Sequence, residues 1–353
     1  MTDKTVASFH HPMEMPALQP LVSVIIPTRQ EKATIGKCLN SLLANLYPLD
    51  KLEVIVIDGM SSDGTKEIVE GYMTQYPMVK LLDNPRLVTP VALNIGVKAA
   101  QGDIIVILGA HSYVEKDFLA QSVKALSEHP EADCVGGVVC NIGEGLVGES
   151  ISSVLSSPFG VGNARFRTGN YRGFIDTVAY GAYRKEVFDK IGLFDERLAR
   201  NQDIEFNSRL RKHGGRIYLT PAIKAYYYNP SSFLAFWWKN FSNGLWNVYT
   251  TKVARGSLSL RHFVPVAFAL SLLVSGGLAF FTAPGRILLG LIGGSYLLGA
   301  LLASMKIGMQ KGLRFIPILP LAFFTLHFSY GLGSLWGLLT VWRFGTKEES
   351  KED

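Results

Sequence analysis

The chain has 353 residues, of which 48% are hydrophobic and 18% are charged, and a formal net charge of +6. The apolar excess is uneven: residues up to about 230 resemble a soluble α/β domain, whereas Leu, Phe, Gly, Ile and Ala dominate from residue 263 onward and indicate membrane segments. No basic and aromatic nucleic-acid module is present, so nucleic acid is not an expected partner. The positive charge suits anionic lipid head groups instead.

The cysteines and the N-terminus indicate the compartment. Cys38, Cys134 and Cys140 are scattered and form no C-x-x-C pair, so a disulfide framework is not expected and the surroundings are predicted to be reducing. Residues 1–20 lack the apolar core of a signal peptide and are predicted to be a flexible tail. The domain that follows is therefore expected to remain in the cytoplasm.

Four strand-then-helix units are predicted between residues 22 and 128. The strands are placed at 22–28, 52–58, 79–82 and 104–108, and the helices at 32–46, 65–76, 89–100 and 116–128. Units of this length predict a doubly wound, mostly parallel sheet of the α/β class.

The pattern is less regular after residue 132. The predicted elements are strands at 134–140, 176–183, 217–219 and 225–228 and helices at 185–191 and 202–213. The Gly- and Ser-rich stretch 141–170 is predicted to form loops near the site. These elements complete a domain over 21–230.

Residues 231–260 carry a predicted amphipathic helix with aromatic residues on one face and flanking lysine and arginine, which suits the membrane interface. A core helix of the soluble domain is the alternative. Transmembrane helices are predicted over 261–342, as apolar stretches at 263–281, 287–305 and 315–342, with about 20 residues needed to span a bilayer. The third is either one tilted span or an interfacial piece plus a span. The basic loop 306–314 is expected on the cytoplasmic side, and 343–353 is a charged tail on an undecided side.

Polar residues follow several of the predicted strands. The first strand is followed by Thr28 and Glu31, the second ends at Asp58, and the fourth is followed by His111. Ligands of open α/β sheets collect at this edge. Neither G-x-G-x-x-G nor a P-loop is present, so a nucleotide would be held by acids at the strand ends, with a divalent cation neutralising its diphosphate.

Five motifs, in this order, resemble the glycosyltransferases of family 2, which have the GT-A fold. They are Ser23-Val-Ile-Ile-Pro-Thr-Arg-Gln-Glu31, Val54-Ile-Val-Ile-Asp-Gly-Met-Ser-Ser-Asp-Gly-Thr65, Asn94-Ile-Gly-Val-Lys-Ala-Ala-Gln-Gly-Asp103, Tyr180-Gly-Ala-Tyr-Arg-Lys-Glu-Val-Phe-Asp-Lys-Ile-Gly-Leu-Phe-Asp-Glu196 and Asn201-Gln-Asp-Ile-Glu-Phe-Asn-Ser-Arg-Leu210. The resemblance covers about residues 22–230. Within the family it is closest to membrane-bound enzymes of exopolysaccharide synthesis, of the succinoglycan glucosyltransferase type.

The resemblance implies an inverting enzyme in which Asp203 is the catalytic base that deprotonates the acceptor hydroxyl, since this chemistry needs a carboxylate within hydrogen-bond reach of that hydroxyl. Asp203 shares a helix face with Phe206 and Leu210, so it is expected to point inward. A first-turn Asp that only caps its helix is the alternative. The implied nucleotide-binding residues are Pro27, Thr28, Glu31, Asp58, Arg86, Asn94 and Ala110, and the implied acceptor-side residues are Tyr180, Gln202 and Trp238.

The chain departs from the family at the cation site. The family's Asp-x-Asp falls on Gly109-Ala110-His111, so the first carboxylate is missing and His111 takes the position of the second. His111 is the predicted metal ligand, better suited to Mn²⁺ than to Mg²⁺. Asp63 is a nearby carboxylate, but it is expected to cap the helix that begins at residue 65.

The resemblance also implies partners and a location. The donor that it implies is a UDP-hexose. The predicted aromatic helix directly after the domain favours a lipid-linked, polyprenyl-diphosphate glycan acceptor at the bilayer surface. The expected location is a bacterial-type inner membrane with several spans and a cytoplasmic catalytic domain. The Gln-x-x-Arg-Trp motif of processive synthases is absent, which favours transfer of a single sugar. A non-catalytic scaffold subunit, a polyprenyl-phosphate glycosyltransferase and a homo-oligomer all stay open.

Overall fold

The computed structural model describes residues 19–169 and 171–344. Four parallel strands form its first half, in the order β3-β2-β1-β4, and confirm the predicted units. Their bounds are β1 Val22–Thr28, β2 Leu52–Asp58, β3 Val79–Asp83 and β4 Ile104–Ile107. The helices between and after them are α1 Ile35–Leu43, α2 Thr65–Gln75, α3 Thr89–Ala99 and α4 Phe118–Glu128. All but two of the residues of 1–20, and all but two of 343–353, lie outside the described residues.

Alternation along β1 explains why the sheet is buried on both faces. Val24 and Ile26 pack with α1 on one side, whereas Ile25 packs with α3 on the other, because successive side chains point to opposite faces. Thr28 pairs in register with Asp58, so the polar ends of β1 and β2 lie level at the same edge.

The second half of the sheet is mixed. It continues from β4 in the order β8-β6-β9-β5, with β7 paired to β9, and four of its pairings are antiparallel. These strands are β5 Ser112–Val114, β6 Cys134–Ile142, β7 Gly173–Ile175, β8 Ala182–Arg184 and β9 Ile217–Tyr228. The prediction of one strand over 176–183 was wrong, because β7 and β8 flank a segment without strand structure. The two short strands predicted after residue 216 are one continuous strand, β9.

The loops predicted over 141–170 are wrong for most of this stretch. It forms three helices, α5 Gly145–Leu155, α6 Pro158–Val161 and α7 Arg165–Thr168. Serines in α5 satisfy their hydroxyls on their own helix, as Ser153 donates to the Glu149 carbonyl at 2.7 Å. The apolar face of α5 is buried against C-terminal helices, so tertiary packing outweighs the loop-like composition.

Three further helices complete the domain and its edge: α8 Glu186–Ile191, α9 Gln202–Lys212 and α10 Phe233–Val253. Three more follow, α11 Val264–Ala279, α12 Ala283–Lys311 and α13 Leu319–Thr340. Short 3₁₀ turns occur at Leu49–Lys51, Leu260–His262, Leu313–Phe315 and Val341–Arg343.

Two helical stretches of the described chain, Leu260–Ala279 and Ala283–Lys311, are long and apolar enough to cross a membrane by length and composition. Both ends of this helical hairpin contact the N-terminal domain. Arg261 donates to Asn163 Oδ1 at 3.2 Å, before α11. At the end of α12, Lys311 Nζ donates to Ser153 Oγ at 3.0 Å. The turn between the helices carries the exposed Phe280 and Phe281 and lies at the far end.

Helix α13, in the third predicted span, runs beside α10 in the same direction. A Cβ at Gly244 would lie 2.0 Å from the Tyr330 carbonyl oxygen, and one at Gly333 would lie 1.9 Å from that of Phe241. Glycine therefore permits the two backbones to touch, as at close helix contacts in membranes. Because α13 follows α10 over this length, the two helices share one position relative to a membrane.

Candidate functional site

The loop after β1 is fixed to the loop after β2 by side chains. Glu31 N donates to Thr65 Oγ1 at 2.9 Å, and Gln30 N donates to Ser61 Oγ at 2.9 Å. Asp63 precedes the N-cap residue, Gly64, and accepts from the backbone N–H of Thr65 at 3.1 Å and of Lys32 at 3.1 Å, so it supports both the start of α2 and the loop after β1. Pro27 is half-buried and Thr28 is buried at the end of β1. The two loops thus form one wall of the site.

Asp58 lies at the bottom of this wall. Its side chain is 1% exposed, and its Oδ2 accepts from the Ser61 backbone N–H at 2.8 Å. Its Oδ1 is buried without a hydrogen-bond partner among the described residues. A buried carboxylate oxygen without a donor is costly, so this atom fits a bound ligand that supplies an N–H or O–H group.

Glu31 and His111 are brought together by the fold. The His111 Nδ1 lies 3.0 Å from Glu31 Oε1, and Thr34 donates to the other carboxylate oxygen at 2.5 Å. Burial acts to raise the pKa of Glu31, but the hydrogen bonds from His111 and Thr34 outweigh it and hold that pKa below its ordinary value. A carboxylate on one imidazole nitrogen fixes the ring and leaves the other nitrogen as a metal ligand.

The implied cation therefore fits this site in part. His111 offers Nε2, and Glu31 holds the ring, but Gly109 has no side chain to contribute. Among residues 19–169 and 171–344, no group of three or more His, Cys, Asp or Glu side chains is placed to hold a metal ion. A cation here would take its remaining ligands from the donor diphosphate and water.

Gly109 lies directly beside the His111 ring. A Cβ built on Gly109 would lie 3.5 Å from His111 Cε1 and 3.6 Å from Nε2, which is ordinary van der Waals contact. The neighbouring Ala110 is buried at 1% exposure, and its predicted place at the nucleotide stays a prediction. The first side-chain atom at this position would therefore fit without displacing His111.

Asp203 is in the first turn of α9, but its orientation differs from the prediction. Phe206 and Leu210 are buried, whereas the Asp203 side chain is exposed to solvent. Burial by the surrounding protein nevertheless raises the pKa of its carboxyl group, against the opposing effects of helix-start N–H groups and the charge of Arg167. Solvent access combined with this pKa shift is typical of the wall of a cleft, where the carboxylate can reach a substrate.

The residues beside Asp203 attach α9 to α10. Asn201 has a left-handed backbone with φ 62°, and its Nδ2 donates to Asn247 Oδ1 at 2.7 Å and to Thr250 Oγ1 at 3.2 Å. Gln202, a predicted acceptor-side residue, has a buried Oε1 without a partner among the described residues. That atom is available to a donor group of a substrate.

Arg86 and Asn94 form a contact of their own at the Glu196 turn. Arg86 pairs with Glu196. Asn94 is 4% exposed, donates to Glu196 Oε1 at 3.0 Å, and exchanges hydrogen bonds with the backbone of Phe194. Their side-chain groups hold this turn against α3, and their predicted place at the nucleotide stays a prediction.

The two aromatic residues predicted on the acceptor side lie in different surroundings. Tyr180 hydrogen-bonds Ser112 at the start of β5, and burial raises its pKa. Trp238 is 57% exposed on α10, with its ring edge against Phe241. Tyr180 is thus part of the cleft, whereas Trp238 is on the outer surface of α10.

A group of cations at the cleft was not predicted. Lys239 Nζ donates to the Tyr227 hydroxyl at 2.8 Å and lies 4.3 Å from the centre of its ring. Burial and the charges of Arg167 and Arg200 lower the pKa of Lys239 to about 7. The Tyr227 ring also meets His111 edge-on, with centroids 4.9 Å apart. We refer to Arg167, Arg200 and Lys239 as the cation cluster.

Sequence signals for the cation cluster are weak. Arg167 lies in the stretch predicted as loops, and Lys239 is one of the basic residues that flank the aromatic face of the predicted interfacial helix. The three residues are far apart in the chain, and no motif joins them. Their proximity depends on how α7 and α10 pack on the sheet.

Comparisons with known proteins agree with this architecture. Residues 23–192 match the model of Glycosyl transferase family 2. A dolichyl N-acetyl-α-D-glucosaminyl phosphate 3-β-D-2,3-diacetamido-2,3-dideoxy-β-D-glucuronosyltransferase of Methanococcus voltae is 29% identical over 328 residues, which cover 90% of this chain and 97% of that protein. The succinoglycan biosynthesis protein ExoA of Rhizobium meliloti is 29% identical over 249 residues, 70% and 74% of the two chains.

A solved structure shares the fold. The mannosyltransferase PcManGT from Pyrobaculum calidifontis, in complex with GDP-Man and Mn²⁺, superimposes with a TM-score of 0.57 over 93% of this chain and 91% of that chain, at 20% sequence identity. The mixed sheet and the helices after it thus have a counterpart of the same architecture.

Proposed function

The chain is a glycosyltransferase of family 2, and we propose that it transfers one hexose from a UDP-sugar to a lipid-linked, polyprenyl-diphosphate glycan with inversion at the anomeric carbon. The observation that carries this proposal is the position of Asp203, exposed in the first turn of α9 where Asn201 binds that turn to α10. A base there can meet an acceptor presented along that helix. The dolichyl-linked acceptor in the name of the Methanococcus relative supports the same acceptor class.

The residues at the strand ends would hold the donor. Asp58 Oδ1 would accept from the base or ribose of the nucleotide, with Pro27 and Thr28 lining the pocket. His111 would hold a divalent cation through Nε2, with Glu31 orienting the imidazole. When bound, such a cation neutralises charge on the diphosphate leaving group.

The proposed transfer has one chemical step. Asp203 removes the proton from the acceptor hydroxyl as the hydroxyl oxygen bonds to the anomeric carbon. The bond from that carbon to the diphosphate oxygen breaks on the opposite side, and the nucleoside diphosphate leaves with the electron pair. The raised pKa of Asp203 brings its basicity closer to what general-base catalysis at neutral pH requires.

We further propose that α11 and α12 cross a cytoplasmic membrane as a hairpin, with α10 and α13 in its interface on the side of the catalytic domain. The contacts of Arg261 and Lys311 with that domain support entry and return on the same side. Lys306, Lys311 and Arg314 would then be cytoplasmic, in agreement with the positive-inside rule. Under this proposal the third predicted stretch does not cross the membrane, which differs from both predicted alternatives, one tilted span and an interfacial piece plus a span.

A donor-by-acceptor assay tests the proposal. Purified full-length protein in detergent would be given UDP-glucose, UDP-galactose or GDP-mannose with either polyprenyl-diphosphate glycans or the same glycans without lipid. Transfer from a UDP-hexose to the lipid-linked acceptors alone is expected. Equal transfer to free glycans would reject the lipid acceptor, and transfer only from GDP-mannose would reject the donor. Transfer to polyprenyl phosphate itself would favour the polyprenyl-phosphate glycosyltransferase.

A further inference from the structure

The cation cluster has neutral partners only. Arg167 Nη1 donates to Asn141 Oδ1 at 3.2 Å, and Arg200 Nη1 donates to Asn243 Oδ1 at 3.2 Å. Lys239 donates to the phenol of Tyr227. Within the described ranges, no ion pair includes any of these three cations. The cluster therefore carries positive charge that the protein does not neutralise by direct pairing.

Such an arrangement is unfavourable without a ligand. Lys239 and Arg167 are half-buried, and like charges close together repel each other. The burial and repulsion are strong enough to bring the pKa of Lys239 down to about 7. A bound anion would offset the burial and the repulsion and raise the pKa of Lys239 again, because charge-assisted hydrogen bonds to phosphate favour the protonated amine. Together these observations indicate a binding site for a multiply charged anion.

The position of the cluster distinguishes acceptor from donor. Lys239 is on α10, and Arg200 is held by Asn243 of the same helix. Toward the strand-end pocket proposed for the donor, the Tyr227 ring lies between Lys239, which donates to its hydroxyl, and His111, which meets the ring edge-on. On the other side, Arg200 is three residues before Asp203 in the chain and is bound to α10 through Asn243. The cluster therefore lies on the α10 side of the cleft, next to the proposed base.

The segment just before α7, the helix that carries Arg167, also contacts the C-terminal helices. His327 of α13 donates from Nε2 to the Gly160 carbonyl at 3.1 Å, in the segment just before α7. Tyr296 of α12 hydrogen-bonds the other nitrogen of the same imidazole at 2.9 Å. The turn that precedes Arg167 is thus anchored to two helices proposed to lie in or on the membrane.

We propose that Arg167, Arg200 and Lys239 bind the diphosphate of the lipid-linked acceptor and so place its sugar hydroxyl next to Asp203. This inference rests on the proposed function and names the subsite for its acceptor. A glycan-bearing polyprenyl diphosphate carries two negative charges, which three cations can neutralise. The lipid tail would leave the cleft along α10, where Leu234 and Trp238 are exposed.

The binding test uses farnesyl diphosphate as the lipid probe, inorganic diphosphate as the free anion and UDP as the donor probe, on full-length protein in detergent. Lys239→Met and Arg200→Gln are each expected to weaken farnesyl diphosphate binding about tenfold and to leave UDP binding within twofold. Inorganic diphosphate is expected to bind more weakly than farnesyl diphosphate, because it lacks the lipid that α10 would contact. Equal binding of the two would assign the site to a free anion.

Lys37→Met is the matched control. Lys37 forms a similar pair with Tyr228, at 3.4 Å from its hydroxyl and 5.1 Å from its ring centre, but it is exposed and outside the cluster. This variant is expected to bind both farnesyl diphosphate and UDP as the wild type does. Lys239→Arg retains the charge and is expected to retain binding, which separates loss of charge from misfolding.

Two results would overturn the proposal: weaker UDP binding with unchanged farnesyl diphosphate binding, or no change in either ligand. Its failure differs from that of the proposed function. Transfer to lipid-linked glycans with an acceptor KM that Lys239→Met does not alter rejects the subsite alone. If the wild-type protein transfers no sugar but Lys239→Met still weakens farnesyl diphosphate binding, the proposed transfer is rejected and the subsite is retained.

Discussion

Asn201 Nδ2 donates a 2.7 Å hydrogen bond to Asn247 Oδ1, and this contact joins the start of α9 to the middle of α10. Asn201 immediately precedes the helix that carries Asp203 and has the left-handed conformation that asparagine tolerates better than most residues. The Asn201 side chain therefore links the helix of the proposed base to the proposed interfacial helix, beside the contact of Arg200 with Asn243.

Removing this contact is expected to reduce activity more than stability. Asn247→Ala leaves Asn201 with Thr250 as its remaining side-chain partner, and the loss should cost about 1 kcal/mol in the free energy of unfolding. Because the start of α9 loses one tie to α10, kcat should fall with little change in the KM of the donor. Steady-state kinetics and thermal unfolding measure both effects.

Thr251→Ala is the control for that experiment. It removes a hydroxyl that bonds only to the Val248 carbonyl of the same helix. Wild-type kcat is expected. An Asn247→Ala protein with unchanged kcat would show that the contact does not position the base.

The raised pKa of Asp203 predicts the acid limb of the pH profile. A general base must be ionised, so kcat/KM should fall as the pH drops through the pKa of Asp203, which lies above the ordinary Asp value of 3.8. Asp203→Asn should remove this limb together with nearly all turnover and should leave UDP affinity nearly unchanged. Substantial turnover by Asp203→Asn would exclude Asp203 as the base.

The His111 site predicts a dependence on Mn²⁺. His111→Ala should weaken Mn²⁺-dependent UDP binding, measured by calorimetry with and without the metal, because the proposed Nε2 ligand is removed. Binding of UDP that depends on Mn²⁺ as in wild type would place the cation elsewhere. If the wild-type protein binds UDP equally well with and without Mn²⁺, the proposed mechanism does not include the cation.

Gly109 allows the opposite experiment. Gly109→Asp restores the family's first carboxylate where a Cβ would meet the His111 ring at 3.5 Å, so it should fold and tighten Mn²⁺-dependent UDP binding several-fold. Gly109→Ala adds the Cβ without the carboxylate and should not tighten it. If Gly109→Asp and Gly109→Ala change Mn²⁺-dependent UDP binding equally, the change comes from the loss of glycine at the backbone and not from the carboxylate.

Local sequence patterns were sufficient to predict some of the elements of this molecule. The buried β-branched runs of β1 and β2 and the motif around Asp203 could be identified from neighbouring residues. The helix α5 could not, because its Gly and Ser content resembles a loop until the C-terminal helices cover its apolar face. The cation cluster also depends on long-range packing, since Arg167 and Lys239 come near each other only after α7 and α10 are in place.

The α11–α12 hairpin predicts which residues are accessible from outside the cell. Phe281 lies at its turn and is 86% exposed, whereas Lys311 and Arg314, at its other end, contact α5 of the catalytic domain. In a Cys-free background, Phe281→Cys should react with a membrane-impermeant maleimide in spheroplasts, and Arg314→Cys should react only after the membrane is opened. Because two crossings return the chain to its starting side, labelling of both sites in intact spheroplasts would require an odd number of spans before residue 314. If neither Phe281→Cys nor Arg314→Cys is labelled before lysis, the hairpin does not cross the membrane and lies on its cytoplasmic face.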